Sequence, residues 1–545
     1  MDADLVLSGS PVHGGPADRP PASAVAIRGG RVAAVGDERE IHELIGPNTK
    51  VIEMRRGLIL PGLQDAHVHP PEGGLSGFRC SLHDLPGKEA YLEAIAEYAR
   101  SHPGEEWIRG DGWSMPAFPR GTPHRKDLDR VVPDRPVFLV NADGHGAWVN
   151  SKALERAGVN ETTPDPIDGR IERDERGPTG TLHEGAMDLV SSHIPPITRA
   201  ELVNGLRVAQ QHLHSLGITA WQDAVVTPAN LEAYLELTDS GDLTMRVVLS
   251  LLWERHEGEE QIAGLIERRA AGTTGRMTAS TVKIFQDGVM ENFTAALTEP
   301  YLTADGAPTD NAGLSMIDPI LLRRYVTRLD REGFQVHFHA IGDRACRESL
   351  DAIEAARRAN GAIDARHHIA HIQLVHPDDI GRFAELSAVA NGQPFWACRE
   401  PQMTDLTIPF IGPRRAAWQY PFGSLLRAGA ALAFGSDWPV STPNPFLEME
   451  VATTRVAVDD REAEPLFAEE RISPHQAVAA FTTGAAFVNH LDDVTGTLEP
   501  GKLADIAVLD HNVLEPSDRP LGDTKVLLTM VEGEVVYADP QVDLG

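Results

Sequence analysis

The chain has 545 residues, of which 42% are hydrophobic and 24% are charged, and this composition is typical of a folded enzyme rather than a disordered chain. The formal charge of −31 argues against nucleic acids and anionic membranes as partners, since both would be repelled. The three cysteines are too far apart for a disulfide framework, and the sequence contains neither a signal peptide nor an apolar run of about 18 residues, so we expect a cytoplasmic protein.

Both ends of the chain are predicted to be rich in β-strands. In residues 1–58, short apolar segments are separated by glycine, and the Gly29-Gly30 pair of VAIRGGRVAAVG predicts a hairpin. Residues 491–545 have the same character, with Gly533 at a second predicted turn in VLLTMVEGEVVYA. We therefore expect the two ends to form one small β domain beside a compact unit built from the middle of the chain.

Residues 59–490 alternate between strand-like and helical patterns. The segment PILLRRYVTRLDREG, for example, has apolar residues at helical spacing and ends at Gly333, a typical helix stop. Repeated alternation of strand and helix predicts a parallel sheet with crossover helices. Residues 71–200, approximately, interrupt this alternation because they are rich in proline, glycine and charge, and we interpret them as an insertion that covers the site.

Five apolar segments end in residues that are able to bind metal: LILPGLQDAHVH, TVKIFQDG, VHFHAIGD, HIAHIQ and LAFGSD. Catalytic residues gather at the carboxyl ends of barrel strands, and zinc and similar ions favour imidazole and carboxylate ligands. His67 and His69 are two residues apart and therefore share one face of a strand. Histidines at this spacing also occur in surface turns, but the four other strand ends favour a metal site. The candidate ligands are His67, His69, Lys283, His339, His371 and Asp437.

Two residues in these segments, Lys283 and His337, have alternative interpretations. Lys283 lies between apolar neighbours, where a buried ammonium group is costly. Its side chain either reaches solvent or carries a carbamate that bridges two metal ions, and the residues alone favour the first interpretation. His337, two residues before His339, is expected to pack beside the site or to support a ligand rather than to bind metal.

Several of these segments resemble the signatures of the amidohydrolase superfamily, most nearly those of its N-substituted formamide deformylase-like branch. They are PGLQDAHVH, VKIFQDG, FHAIGD, HIQ and FGSDWPV, and the resemblance extends to NADGHGAWVNSKAL and TGTLEPGKLADIAVLD. It implies an α/β fold, a distorted (β/α)8 TIM barrel with a small β-sandwich domain built from both chain termini. In this chain the sandwich halves would be residues 1–58 and 491–545, and the barrel residues 59–490 with the insertion.

The same resemblance implies a role for each candidate ligand. It makes His67 and His69 ligands from the first strand, Lys283 a carbamylated bridging lysine, His339 and His371 ligands from the fifth and sixth strands, and Asp437 a ligand from the eighth. Such a set implies two divalent ions, with zinc expected and Mn, Fe or Co as alternatives. Without the carbamate, a single-metal site on His67, His69 and Asp437 remains open. Asp437 is also expected to transfer protons during catalysis.

Four other residues are expected to contact substrate. His145 lies in NADGHGAWVN, a segment that resembles one reaching the active site in this family. Trp113 is a candidate for an apolar pocket wall, although aromatic residues at strand ends more often belong to a core. Met290 and Phe293 lie in VMENFTAAL, where related sequences often carry small and basic residues, and we expect them to shape the pocket.

We predict a hydrolase that cleaves an amide-type carbon–nitrogen bond, other than a peptide bond, with hydroxide formed from metal-activated water. The alternatives are an ester or lactone hydrolase at the same metal site, a decarboxylase or isomerase on the same barrel, and a barrel retained as a binding module. The intact ligand set argues against the last alternative. A small molecule is the expected substrate, and a homodimer is the expected assembly.

Overall fold

Strands from both ends of the chain form one sheet. The computed structural model describes residues 2–15, 22–54 and 56–544, and this sheet has eight strands. The order across it is Glu534–Ala538, Val526–Val531, Ile506–Leu509, Leu58–Pro61, Leu5–Val12, Ala22–Arg28 and Arg31–Gly36, and Lys50–Glu53 pairs with Leu5–Val12. The two ends of the chain are joined by antiparallel pairing of Ile506–Leu509 with Leu58–Pro61.

The predicted hairpins of this sheet are confirmed. Gly29 and Gly30 connect two antiparallel strands with φ angles of 57° and 73°, the left-handed backbone that a tight two-residue turn requires. Gly533, with a φ of 77°, lies in the turn between the last two strands. The sheet contributes to an apolar cluster with members from both chain ends, such as Leu7 and Val508.

The middle of the chain forms a parallel barrel whose strands we number β1 to β8. They are Leu63–Val68 (β1), Ile218–Val226 (β2), Arg246–Leu252 (β3), Met277–Phe285 (β4), Gln335–Ala340 (β5), His368–His371 (β6), Val389–Gly392 (β7) and Ala431–Phe434 (β8). Neighbouring strands pair in this order. The seam between β8 and β1 is bridged by the N–H of Asp437, which donates to the carbonyl of His67 at 2.7 Å. The predicted distorted (β/α)8 fold is therefore confirmed.

Helices cover the outside of the barrel and part of the terminal sheet. They are Glu38–His42, Pro70–Ser76, Arg199–Ser215, Pro228–Asp239, Ile262–Gly272, Pro319–Arg331, Asp343–Asn360, Ile380–Leu386, Ile408–Ala416, Phe422–Arg427, Pro445–Thr454, Pro474–Ala479 and Ala485–Val488. The helix predicted before Gly333 ends at Arg331, and Gly333 follows it with a φ of 77°. Within the described ranges, every helix is too short or too polar to cross a bilayer.

Between β1 and β2 the chain forms a separate six-stranded sheet. Its strands are Cys80–Ser81, Ile108–Trp113, Val137–Asn141, Gly146–Val149, Gly169–Asp174 and Gly177–Glu184, and its helices are Lys88–Ser101, Arg125–Val131, Ser151–Ala157 and Asp188–Ser191. The sheet has apolar clusters of its own, one of them around Trp113 and Trp148. Asn141 and Glu184, at the ends of two of its strands, line the cavity at the carboxyl end of the barrel, so this layer covers the barrel mouth.

Candidate metal centre

Two of the candidate ligands lie at the carboxyl end of β1. All six residues of β1 are buried, and His67 is 1% exposed. His69 follows the strand, and its backbone N–H donates to the carbonyl of Trp438 at 2.9 Å. The rings of His67 and His69 have centroids 5.5 Å apart, so both imidazoles reach the same cavity.

The carboxylate of Asp437 lies among three imidazoles. Its Oδ1 is 2.9 Å from Nε2 of His69 and 3.1 Å from Nε2 of His67, and its Oδ2 is 4.0 Å from Nδ1 of His371. The backbone of Asp437 and that of His371 have φ angles of 58° and 73°, which are uncommon for residues other than glycine. Such conformations persist where the surrounding structure fixes them, and they cluster at functional sites.

The remaining candidate ligands line the same cavity. The ring of His371 has its centroid 4.8 Å from that of His67 and 4.4 Å from that of His339. Lys283 on β4 is 1% exposed, and its Nζ lies 5.0 Å from the centroid of the Phe285 ring. The fold thus brings all six predicted residues to one end of one cavity, with His67, His69 and Asp437 in the tightest cluster.

Burial controls the charge of these groups. It lowers the pKa values of His67, His339 and His371 well below the ordinary value, so these imidazoles are neutral and have lone pairs to offer. It also lowers the pKa of Lys283 to about 7, although Asp437 and Asp223 oppose this shift. For Asp437, burial opposes ionisation, but the neighbouring imidazoles of His67, His69 and His371 hold its pKa well below the ordinary value.

The residues present fit a divalent metal ion. One nitrogen or oxygen from each of His67, His69 and Asp437 lies within 4.8 Å of the others. Nδ1 of His371, one of the described residues, is buried without a hydrogen-bond partner. Neutral imidazole nitrogens and a carboxylate are the donors that zinc and related ions prefer, and buried polar atoms normally have partners.

Hydrogen bonds to two buried carboxylates hold the ends of β1 and β4 in place. Asp65 on β1 accepts the backbone N–H groups of His67 at 3.1 Å and of Ser436 at 3.0 Å. Asp287, just after β4, accepts three backbone N–H groups, from Ala296, Ile341 and Gly342, at 2.8–3.0 Å. These buried carboxylates fix the loops that carry the candidate ligands.

The cavity has a volume of about 700 Å³ and extends from the candidate ligands to the covering layer. Its walls are mixed in character. Phe395, Trp396 and Met403 contribute apolar surface, whereas Asn141, Asp143, His145 and Glu184 contribute polar groups from the residues between β1 and β2. This volume suits a small molecule.

His145 lies where the sequence predicts a substrate contact, in the wall beside the candidate ligands. Its ring centroid is 5.1 Å from that of His339, and its Nδ1 is 3.0 Å from the carboxylate of Glu184. Glu184 also accepts the hydroxyl of Thr294 at 2.8 Å. Burial opposes protonation of His145, but Glu184 raises its pKa to about 9. The sequence alone does not single out Glu184, although it ends the strand Gly177–Glu184, because it lies in the insertion, where the alternation of strands and helices is lost.

The other three predicted pocket residues lie behind the cavity wall. Trp113 is fully buried in an apolar cluster, and its indole N–H donates to the carbonyl of Leu139 at 2.9 Å. Met290 and Phe293 belong to a second apolar cluster, in which Phe293 packs against Tyr301 and Phe410. The neighbours of Met290, Val289 and Glu291, line the cavity instead.

A parallel barrel with imidazole and carboxylate groups gathered at the carboxyl ends of its strands defines a class of metal-dependent hydrolases. The family model described as the amidohydrolase family matches residues 50–537. The chain therefore belongs to the amidohydrolase family, as its sequence signatures predicted.

Individual relatives agree with this assignment. The chain is 31% identical to Protein LONG AFTER FAR-RED 3 of Arabidopsis thaliana, over 98% of this chain and 92% of that protein. It is 27% identical to the N-substituted formamide deformylase of Arthrobacter pascens, over 98% of each. Its fold matches the crystal structure of an uncharacterized metal-dependent hydrolase from Pyrococcus furiosus with a TM-score of 0.71 and 27% identity, over 94% of this chain and 100% of that one.

Proposed function

We propose that the protein hydrolyses an amide-type carbon–nitrogen bond, other than a peptide bond, in a small-molecule substrate. The observation that carries this proposal is the convergence of His67, His69, His371 and Asp437 at one end of a cavity of about 700 Å³. The similarity to an N-substituted formamide deformylase over nearly the whole chain supports the choice of a carbon–nitrogen bond.

The metal would be held by imidazoles and carboxylates from several barrel strands. The residues that would hold it are His67, His69, His339, His371 and Asp437, with Lys283 as a sixth ligand if it is carbamylated. Zinc is the metal we propose, with two ions per site, and Mn, Fe or Co are alternatives with the same donor preference. When bound, the metal lowers the pKa of a water molecule and polarises the carbonyl group under attack.

Carbamylation of Lys283 is supported by its surroundings. Its side chain is 1% exposed, and the nearby carboxylates of Asp437 and Asp223 do not offset the effect of burial on its charge. Burial keeps a share of the amine neutral near pH 7, as its pKa of about 7 indicates. The lone pair of Nζ would attack the carbon of dissolved carbon dioxide, forming an N–C bond and releasing one proton. The resulting carbamate would carry one negative charge shared by two oxygens, and both oxygens could bind metal.

Asp437 is suited to proton transfer in this reaction. Its carboxylate faces the cavity between His67 and His69, and its low pKa keeps it ionised as a base. We propose that it accepts a proton from the attacking water as the new C–O bond forms. It then delivers that proton to the nitrogen as the C–N bond breaks, because an amine leaves far more readily than its anion.

The test is a substrate panel on the full-length protein with its metal loaded and quantified. The panel contains N-substituted formamides, other N-acyl amines, carbamates and cyclic imides, each with a matched ester, and amine or alcohol release is measured. We expect amine release from at least one class and none from protein stripped of metal. Turnover of the esters alone would replace the proposal by ester hydrolysis, and inertness of the metal-loaded protein toward the whole panel would contradict both.

A second measurement tests the metal content and the carbamate. Native mass spectrometry at neutral pH, combined with elemental analysis, is expected to find two ions per chain and the added mass of one carbon dioxide. Acidification is expected to remove that added mass, because carbamates decompose in acid. One metal ion without the added mass would point to a single-metal site on His67, His69 and Asp437.

A further inference from the structure

A second histidine on β5, His337, contacts a candidate ligand but does not line the cavity. Nε2 of His337 lies 2.8 Å from Nδ1 of His67, and Nδ1 of His337 lies 3.0 Å from the hydroxyl of Ser250 on β3. All three side chains are buried, with 0% exposure for His337 and Ser250 and 1% for His67. One ring nitrogen of His67 therefore faces Asp437, and the other faces His337.

The positions of the protons in this chain of contacts are linked. A neutral imidazole carries one N–H and one lone pair. For Nε2 of His67 to offer its lone pair to a metal, the proton of His67 must be on Nδ1, which then donates to His337. The proton of His337 is in turn on its Nδ1 and donates to the oxygen of Ser250. The reverse arrangement would place a proton on the metal-facing nitrogen of His67.

Packing prevents His337 from leaving this position. Its ring lies against the ring of His368 on β6, with centroids 4.0 Å apart. His368 is itself held in place, because its Nδ1 accepts from the amide group of Asn391 at 3.1 Å. The backbone of His337 is paired with both neighbouring strands, through Lys283 on β4 and His368 on β6.

We propose that His337 and Ser250 are positioning residues that fix His67 in the orientation and tautomer that bind metal. This inference rests on the proposed role of His67 as a ligand. Neither residue lines the cavity, so both act through His67 rather than on the substrate. Metal-ligating histidines generally donate their second N–H to an acceptor, and loss of that acceptor weakens metal binding or activity by roughly 10–100-fold.

The test is the dissociation constant for Zn²⁺, measured by chelator competition on metal-free full-length protein. His337→Phe removes the acceptor and is expected to raise the constant roughly 10–100-fold. His337→Gln places an amide oxygen near the former position of Nε2 and is expected to restore most of the affinity. Ser250→Ala leaves His337 in place but removes the hydroxyl that contacts its Nδ1, and we expect a smaller loss of Zn²⁺ affinity than for His337→Phe.

A matched control separates positioning from general damage. His214 is also a buried histidine with two hydrogen bonds, to the carbonyl of Ile218 at 3.0 Å and to the hydroxyl of Thr244 at 2.9 Å. His214→Gln is expected to leave the Zn²⁺ dissociation constant unchanged, even where it lowers the melting temperature. His67→Ala tests the underlying assumption, because it must weaken Zn²⁺ binding if His67 is a ligand.

Three outcomes would overturn the inference while leaving the role of His67 intact. They are wild-type affinity in His337→Phe, an affinity in His337→Gln as low as in His337→Phe, and wild-type affinity in Ser250→Ala. If His337→Phe does not fold, Ser250→Ala and His337→Gln decide the question. Unchanged Zn²⁺ binding in His67→Ala would instead contradict the proposed ligand set itself.

Discussion

Substitution of Asp437 by asparagine separates the chemistry of this carboxylate from its place in the fold. The change preserves shape, and the backbone N–H that donates to the carbonyl of His67 is untouched. It removes the negative charge that lies 2.9 Å from His69 and 3.1 Å from His67, together with the capacity to carry a proton between water and leaving nitrogen. General acid–base catalysis contributes roughly 10²–10⁴-fold, so we expect kcat to fall by that factor, or about 3–5 kcal/mol in activation free energy.

The assay must keep weaker metal binding apart from slower chemistry. Turnover is therefore measured at saturating Zn²⁺, with bound metal quantified in the same samples. Asp223→Asn is a matched control, since Asp223 is also buried near the site and accepts the hydroxyl of Tyr234 at 2.8 Å. Burial raises the pKa of Asp223 to about 7, so its carboxyl group is only partly ionised at neutral pH, and we expect Asp223→Asn to retain most of the wild-type kcat. Wild-type kcat in metal-replete Asp437→Asn would refute proton transfer by Asp437.

Three further predictions concern the metal content and the stability of the barrel. Lys283→Ala is expected to lower the metal content from two ions to one per chain, measured by elemental analysis, because the bridging carbamate is lost. Arg246→Ala leaves the buried Asp505 without the guanidinium that contacts it at 2.7 Å, and we expect urea denaturation to report a loss of about 3–5 kcal/mol. Hydrogen bonding to Arg276 lowers the pKa of Glu532 to about 2 from an ordinary 4.5, against the opposing effect of burial. The stability that Glu532 contributes is therefore present above pH 4.5 and is lost as pH falls toward 2. Glu532→Gln should destabilise the protein at pH 7 and do so less at pH 3, where only part of this contribution remains. Partial exposure of the carboxylate reduces the effect, and equal losses at both pH values would contradict the prediction.

Much of the fold could be predicted from local sequence signals, each only a few residues long. Gly29 and Gly30 predict their hairpin because few other residues adopt the required backbone, and Gly333 marks the end of a helix for the same reason. The alternation of strands and helices predicts the barrel. The layer between β1 and β2 gave no such signal, because its strands are interrupted by glycine and charged residues, as in Ile108–Trp113 and Gly169–Asp174.

The pocket wall was harder to predict than the ligand set. The candidate histidine and aspartate ligands lie at or just after strand ends, where the sequence shows an apolar run followed by histidine or aspartate. Trp113 ends a strand in the same way, but its indole packs into a core that only the tertiary structure defines. Met290 and Phe293 begin and end a turn, with a φ of 58° at Phe293. A turn lacks the alternation of a strand, so the direction of their side chains could not be predicted from the sequence.

The geometry of a closed barrel explains why Ser250 and His337 meet His67 although they are far apart in sequence. In such barrels the inward side chains form layers, and each layer is built from alternate strands. His67, Ser250 and His337 come from β1, β3 and β5, all odd-numbered, and the contacts of 2.8 and 3.0 Å run between them inside the barrel. The Ser250 hydroxyl in the otherwise apolar segment VVLSLL needs a polar partner, because an unpaired buried polar group is costly. A polar residue at an inward position of an odd-numbered strand therefore predicts a side chain that positions a ligand on β1.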